Sequence, residues 1–411
     1  MSAPEAIDDT YDPFEEFNRS VGAGVVEDPY PLLAMSRAKG PVLKENLEAA
    51  LLDPDGDAEL GPEVFTAFSY DAVQTVLRDG ETFSSAGYAE VMGTVMGHTI
   101  LEMDEPEHHT YRGLVQQAFS RKAMERWEVE TVGPIVDECI DAFADRGETE
   151  LVRELTLPFP VNVIASMLGL PRADLPQFHR WAIELISVSF DWDRGTRASA
   201  QLRDYFAGVL AQRRADPADD LMSILAAAEL DGQRLTDEEI FAFLRLLLPA
   251  GAETTYRSSS NLLFGLLTHP DQLDALRADR ALMPQAIEEG LRWEPPLTTI
   301  VRTASCDTVV DGVDVPAGAV VIVNMGSANH DEKHWERAEE FDIHRDQRQH
   351  LAFAFGPHMC LGMHLARMET RVVLERIFDR LPNLRLDPDA EAPHITGMTF
   401  RAPPALPVLF G

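Results

Sequence analysis

Cysteine is scarce: the 411-residue chain has three, at positions 139, 306 and 360. That excludes a disulfide framework and points to a reducing compartment. Basic residues are scarce too, with 35 Lys and Arg against 69 Asp and Glu, a formal charge of −34. So acidic a surface repels phosphate backbones, which excludes nucleic acid as a partner and serves solubility. No apolar run approaches the roughly 20 residues of a membrane span. The polar, acidic start Met-Ser-Ala-Pro-Glu-Ala-Ile-Asp-Asp is neither a signal peptide nor an anchor. Internal repeats and low-complexity linkers are absent. The expectation is a cytoplasmic monomer that makes no membrane contact.

What is present is a chain that is 45% hydrophobic, enough for one large core. Asp28-Pro29-Tyr30-Pro31 opens a helix that stops at Gly40-Pro41, and residues 71–77 read as another. Residues 80–99 are irregular, rich in Gly and Met. Helical segments run on to about residue 290. Strand-like alternation appears over 307–323, with a turn at Asp311-Gly312, and again near 398–410. These signals predict a mainly α fold with a smaller β-rich part. Residues 1–20 are expected to be a flexible acidic N-terminus, and 21–411 a single domain.

Cys139 shares an apolar helical face with Ile135, Val136 and Phe143 and reads as core; Cys306 sits in a polar stretch without a motif. Cys360 differs. Phe353, Gly356, Cys360 and Gly362 spell Phe-x-x-Gly-x-x-x-Cys-x-Gly, directly before an amphipathic helix starting near Met363. A thiolate is a soft, strongly donating metal ligand. Flanking glycines let backbone N–H groups turn toward the sulfur, and the following helix offers its positive end.

Three further patterns carry chemistry. In Ile240–Thr255, positions 240, 243, 247, 250 or 251, and 254 recur at helical spacing. Pro249 leaves the Arg245 carbonyl without its N–H partner, and Gly251 has no side chain to obstruct the resulting bend. Thr254 can bond the Ala250 carbonyl four residues back, opening a notch beside Glu253. Glu289 and Arg292 lie i, i+3 on one helix and can form a bidentate pair. His108 and Arg112, four apart, can jointly hold a carboxylate. His330 and His334 have metal-ligand spacing, but the second cysteine pair that a structural zinc site would call on is missing.

In this combination the segments resemble the cytochrome P-450 superfamily, the haem-thiolate monooxygenases, along nearly the whole chain. The resemblance implies a triangular-prism fold and haem b ligated by the Cys360 thiolate, with Phe353, Gly356 and Gly362 shaping the loop. Ala250, Gly251, Glu253 and Thr254 match the oxygen-activation motif, Glu253 relaying protons and Thr254 holding the oxygen and water network. Glu289 and Arg292 match a structural pair, and Ala328-Asn-His-Asp331 with Phe341-Asp-x-x-Arg345 a packing segment. His108, Arg112, Arg302 and His358 match haem-propionate contacts.

The implied function is hydroxylation or epoxidation of a small hydrophobic substrate, such as a terpenoid, steroid or fatty acid, with O2. Electrons would come from NAD(P)H through a separate flavin-dependent ferredoxin reductase and a ferredoxin. Alternatives are a peroxide-driven oxygenase and a non-catalytic haem ligand-binding protein. Arg112, Arg121, Lys122, Arg126 and Arg367 are expected to form the ferredoxin-docking patch. Substrate contacts are expected at Val91, Met92, Val95, Met96, Ile186, Val188, Leu247, Ile300, Val301 and Met398. Two departures stand out: Ala354 occupies a usual glycine position, and Glu253 replaces the commoner aspartate.

Overall fold

The computed structural model describes residues 13–20, 26–47, 62–90, 92–186, 188 and 191–411. Val91 and the side chain of Ile186 lie outside the described residues. Helices make up most of the molecule. Five short strands form the larger sheet: β1 (Val42–Leu43), β2 (Val64–Ala67), β3 (Phe83–Ser84), β4 (Thr299–Ala304) and β5 (Val320–Asn324), in the order β1-β2-β5-β4-β3. The β5–β2 pair is parallel, with Val320 opposite Val64; β5 runs antiparallel to β4, with Val321 opposite Arg302. Within β4 the pleat leaves Val301 exposed and buries Arg302.

The alternation at 307–323 resolves into a hairpin, Thr308–Val310 with Val313–Val315, followed by β5. Its turn residues Asp311 (φ 48°) and Gly312 (φ 82°) are both left-handed, as a two-residue hairpin turn requires. The tail strand Pro407–Leu409 pairs with Glu148–Glu150 and Arg385–Leu386.

Six helices position the site: α1 (Glu107–Gln116), α2 (Trp192–Ala215), α3 (Asp237–Leu248), α4 (Thr254–Thr268), α5 (Met283–Trp293) and α6 (Met363–Arg380). A capping box between Thr236 and Glu239 starts α3, satisfying two N–H groups that the helix cannot. Between α3 and α4 the chain makes a π turn over Pro249–Glu253. The missing Pro249 N–H breaks the ladder there, so the bend expected from sequence is a widened turn. Gly251 lies where a Cβ would come 3.1 Å from Ile164 Cδ1, so close packing is the reason for glycine at this position.

The main core cluster spans these helices, with Trp127, Phe159, Phe206, Leu244, Leu266 and Val373 all nearly inaccessible. Residues 13–20, inside the acidic stretch expected to be loosely held, are helical. Asn18 is buried and accepts a hydrogen bond from Arg257 Nη2 at 2.7 Å, and Glu15 pairs with Arg153 at 3.0 Å.

Candidate active site

The loop before α6 is built on backbone geometry. Cys360 N–H donates to Phe353 O at 2.9 Å, and Met359 N–H to Gly356 O at 3.1 Å, closing the loop on itself. Gly356 has φ +73°, and a Cβ there would sit 2.4 Å from Leu77 O, so no other residue fits. Ala354 keeps the left-handed conformation, φ +58°. Alanine at this position therefore carries backbone strain that glycine would not.

Cys360 is accessible to solvent yet surrounded by protein on most sides, the floor of a recess. Burial pushes its thiol pKa up. The Gly362 and Met363 N–H groups, with Arg112 and Arg367, pull the other way. In this setting a thiolate needs a cation to hold it.

Beside it four donors converge. His108 is buried; its Nδ1 lies 3.0 Å from Glu105 Oε1, and its Nε2 has no partner among the described residues. Its ring centroid is 4.1 Å from that of His358, whose Nε2 lies 3.2 Å from Ser85 Oγ. Arg112 donates to Met359 O at 2.6 Å, and Arg302 to Val301 O at 2.8 Å. Burial drives the His358 pKa down to about 3, helped by Arg302, His108 and Arg112. Burial also lowers Arg302, which Tyr88 and Asp104 offset only in part. The cluster is rich in donors and poor in anions. It fits the carboxylates of a haem, and His108 Nε2, buried without a partner among the described residues, is left for a bound group to meet.

Along the α3–α4 rod Leu247, Gly251 and Thr254 are half-buried and Ala250 exposed, so one face of α3, the π turn and α4 stays open. Thr254 Oγ1 donates to Ala250 O at 2.7 Å, the back-bond expected from spacing. Glu253 faces elsewhere. Its buried carboxylate accepts from Arg257 Nε at 2.7 Å and also from Nη2. Burial raises its pKa and Arg257 opposes that. The Arg257 partner was missed in sequence, although Glu-x-x-x-Arg spacing was there to read. Next to Thr254, Thr255 Oγ1 donates to Glu369 at 3.4 Å, tying α4 to α6, the helix that follows the cysteine loop.

Glu289 and Arg292 form the anticipated pair, two hydrogen bonds of 2.8 Å, both buried. Arg345 joins at 3.1 Å, and Arg292 also donates to the carbonyls of Asn329, Ala338 and Glu340. The knot fixes the segment ahead of the cysteine loop and stands apart from the recess. His330 and His334 are spent in stacking on Tyr30 and Tyr70, with centroids 3.8 and 3.6 Å apart.

The expected substrate contacts divide. Met92, Leu247 and Ile300 are half-buried and Val301 is 38% exposed, so each offers free surface. Val95, Met96 and Val188 are covered within the main core, and Met398 packs on Val26, Tyr30, Leu33 and Phe68. Those four are core here, because an apolar stripe at helical spacing buries against protein first. The expected docking patch is also diluted. Arg121 pairs with Glu125, Arg126 with Asp219, and Arg367 with Glu288 at 2.6 and 2.8 Å. Tyr88, whose hydroxyl accepts from Val301 N–H at 2.9 Å across 213 residues of chain, left no signal in the sequence.

Residues 161–404 match the family model for cytochrome P450. The chain is 39% identical over 352 residues to a steroid C26-monooxygenase of Mycolicibacterium smegmatis, covering 84% of this chain and 87% of the relative. It is 33% identical over 380 residues to the cytochrome P450 monooxygenase PikC of Streptomyces venezuelae, covering 90% and 87%. Among solved structures, CYP109E1 from Bacillus megaterium in complex with testosterone superimposes with a TM-score of 0.84 at 32% identity, covering 93% of this chain and 99% of that one. With a cysteine-floored recess, a donor cluster short of anions and a notched helix above, the chain belongs to the cytochrome P450 family, the haem-thiolate monooxygenases.

Proposed function

We propose that Cys360 is the thiolate ligand of a b-type haem and that His108, Arg112, Arg302 and His358 hold its propionates. The observation that carries this is the cluster around His358: two arginines and two imidazoles, one with a buried nitrogen that has no partner among the described residues, and few anions. Haem bound there would supply oxygen binding and insertion of one oxygen atom into a C–H or C=C bond. The chain's own residues do the rest. Thr254, anchored on Ala250 O, orders water in the notch of the π turn. Glu253, next in the chain, is the acid of the pair; its carboxyl is held by Arg257 away from the notch and has to leave that partner to pass a proton toward Thr254. Splitting dioxygen consumes two protons, so an acid beside an alcohol is what the reaction needs.

The substrate is a small hydrophobic molecule of steroid, terpenoid or fatty-acid type. The free apolar surface of Met92, Leu247, Ile300 and Val301, and the steroid named for the relatives, support that class. Electrons come from NAD(P)H through a flavin reductase and a ferredoxin docking near Arg121 and Lys122, and the enzyme works as a cytoplasmic monomer. Peroxide-driven turnover is disfavoured, because peroxide arrives already reduced and has no use for the Glu253–Thr254 pair. A non-catalytic haem protein has no use for it either.

The test is the spectrum of the dithionite-reduced protein with carbon monoxide. The wild type shows the strongly red-shifted Soret band of thiolate ligation, and Cys360→His loses it. A wild-type band at the position of histidine-ligated haem overturns the assignment.

A further inference from the structure

Among the described residues seven arginines are buried: 37, 245, 257, 292, 302, 345 and 401. Five are paired with carboxylates, Arg37 with Glu332, Arg257 with Glu253, Arg292 and Arg345 with Glu289, and Arg401 with Glu294. Two have no carboxylate partner among the described residues. One is Arg302, read above as a propionate contact; the other is Arg245. An interior cation without a counter-charge is costly, so an unpaired one marks a place where an anion arrives from outside the fold.

Arg245 lies on α3, one turn before Pro249, and is 8% exposed. Its Nε donates to Phe241 O at 3.2 Å, and its Nη1 to Ser199 Oγ at 3.0 Å and Val95 O at 3.4 Å. No hydrogen bond from Nη2 is formed among the described residues. Gly97, φ +88°, lets the backbone pass close to the guanidinium, since a Cβ there would come 3.0 Å from Nη2 and 3.1 Å from Ala242 Cβ. The carboxylate that bears on it, Glu238, is already held by Arg203, through Nε at 3.1 Å and through Nη2. Burial accordingly outweighs Glu238 and lowers the Arg245 pKa.

The guanidinium thus sits where the 92–97 segment, α2 and α3 meet, at the edge of the segments assigned to substrate. Toward Thr254 follow the half-buried Leu247 on α3 and the exposed Ala250 in the π turn. Nine residues of helix separate Arg245 from Thr254, about 13 Å at the usual rise.

We propose that Arg245 anchors the carboxylate of an amphipathic substrate, with Nη2 donating to it and an apolar chain lying along α3 so that oxidation falls far from the acid. This rests on the monooxygenase reading above and narrows its substrate class to apolar carboxylic acids.

The test is titration of the haem-loaded enzyme with dodecanoate and with dodecan-1-ol, followed by the spin-state shift, in wild type, Arg245→Gln and Arg245→Lys. The wild type prefers the acid by about tenfold or more, the scale of one charge-assisted hydrogen bond. Arg245→Gln loses that preference while its affinity for the alcohol stays within about twofold; Arg245→Lys keeps part of it. Equal affinity of the wild type for both ligands overturns the proposal. So does an equal loss of acid and alcohol binding in Arg245→Gln, the mark of a guanidinium that only ties Ser199 to Val95. The carbon monoxide band separates the two readings: its absence in the wild type would undo the haem-thiolate assignment, and its presence leaves Arg245 alone under test.

Discussion

At position 356 the requirement for glycine is absolute. The backbone is left-handed, and Leu77 O occupies the space of any Cβ. Gly356→Ala forces the loop away from Leu77 and costs about 3 kcal/mol or more, because neither backbone can yield cheaply. Thermal unfolding checks this, and retention of wild-type stability refutes it. Ala354 bears a milder version of the same strain. The cysteine loop was the most legible part of the sequence, since Phe353, Gly356, Cys360 and Gly362 are close in the chain and each has a local task. The partners that tune the site were not legible. Ser85 beside His358 and Tyr88 beside Val301 are brought in by the β3–β4 pairing, and nothing local announces a contact made across hundreds of residues. The Arg245 side chain gave no signal in the sequence either; its burial without a carboxylate partner among the described residues is a product of the fold.

Among elements, the α3–α4 rod shows how local chemistry becomes function. Pro249 and Gly251 announced the break, and Thr254 found its carbonyl as spacing dictated. Glu253 was placed correctly on the rod, but its binding to Arg257 and, through it, to Asn18 was invisible without the fold. Thr254→Ala removes the hydroxyl and should leave NAD(P)H consumption running while product falls and peroxide appears. Coupling equal to wild type would remove Thr254 from the proton path. Where α4 meets α6, Glu369 is buried and its pKa raised to about 8 by desolvation, against a single hydrogen bond from Thr255. The folded protein holds that proton more tightly than the unfolded chain, whose glutamate titrates near 4.5. Its contribution to stability is therefore complete below about pH 4.5 and is lost as pH rises to about 8. Glu369→Gln, neutral throughout, should flatten the decline in melting temperature between about pH 4.5 and 8. An unchanged pH profile would show that Glu369 is already ionised in the fold.

Over the whole molecule, charge sets how a redox partner can approach. The chain carries −34, so an acidic ferredoxin is repelled everywhere except where cations remain unneutralised. The fold thins the expected patch, because Arg126 and Arg367 are bound to Asp219 and Glu288, and Arg112 turns inward to Met359 O. What remains is the start of the Arg121–Trp127 helix. There Arg121 is 92% exposed with only the surface carboxylate of Glu125 beside it, and Lys122 is exposed with no carboxylate within 4.0 Å among the described residues. An exposed pair of this kind is worth little in stability, so reversing both charges should leave the fold and substrate affinity intact. Association steered by charge is sensitive at long range and is screened by salt. Arg121→Glu with Lys122→Glu should therefore slow ferredoxin-driven reduction by roughly tenfold at low ionic strength. The gap should narrow as salt is raised, while the substrate-induced spin shift stays at its wild-type midpoint. Stopped-flow reduction at two salt concentrations decides it: unchanged rates would move the docking site off this helix, and a gap that persists in high salt would mean that contact geometry, not steering, had been lost.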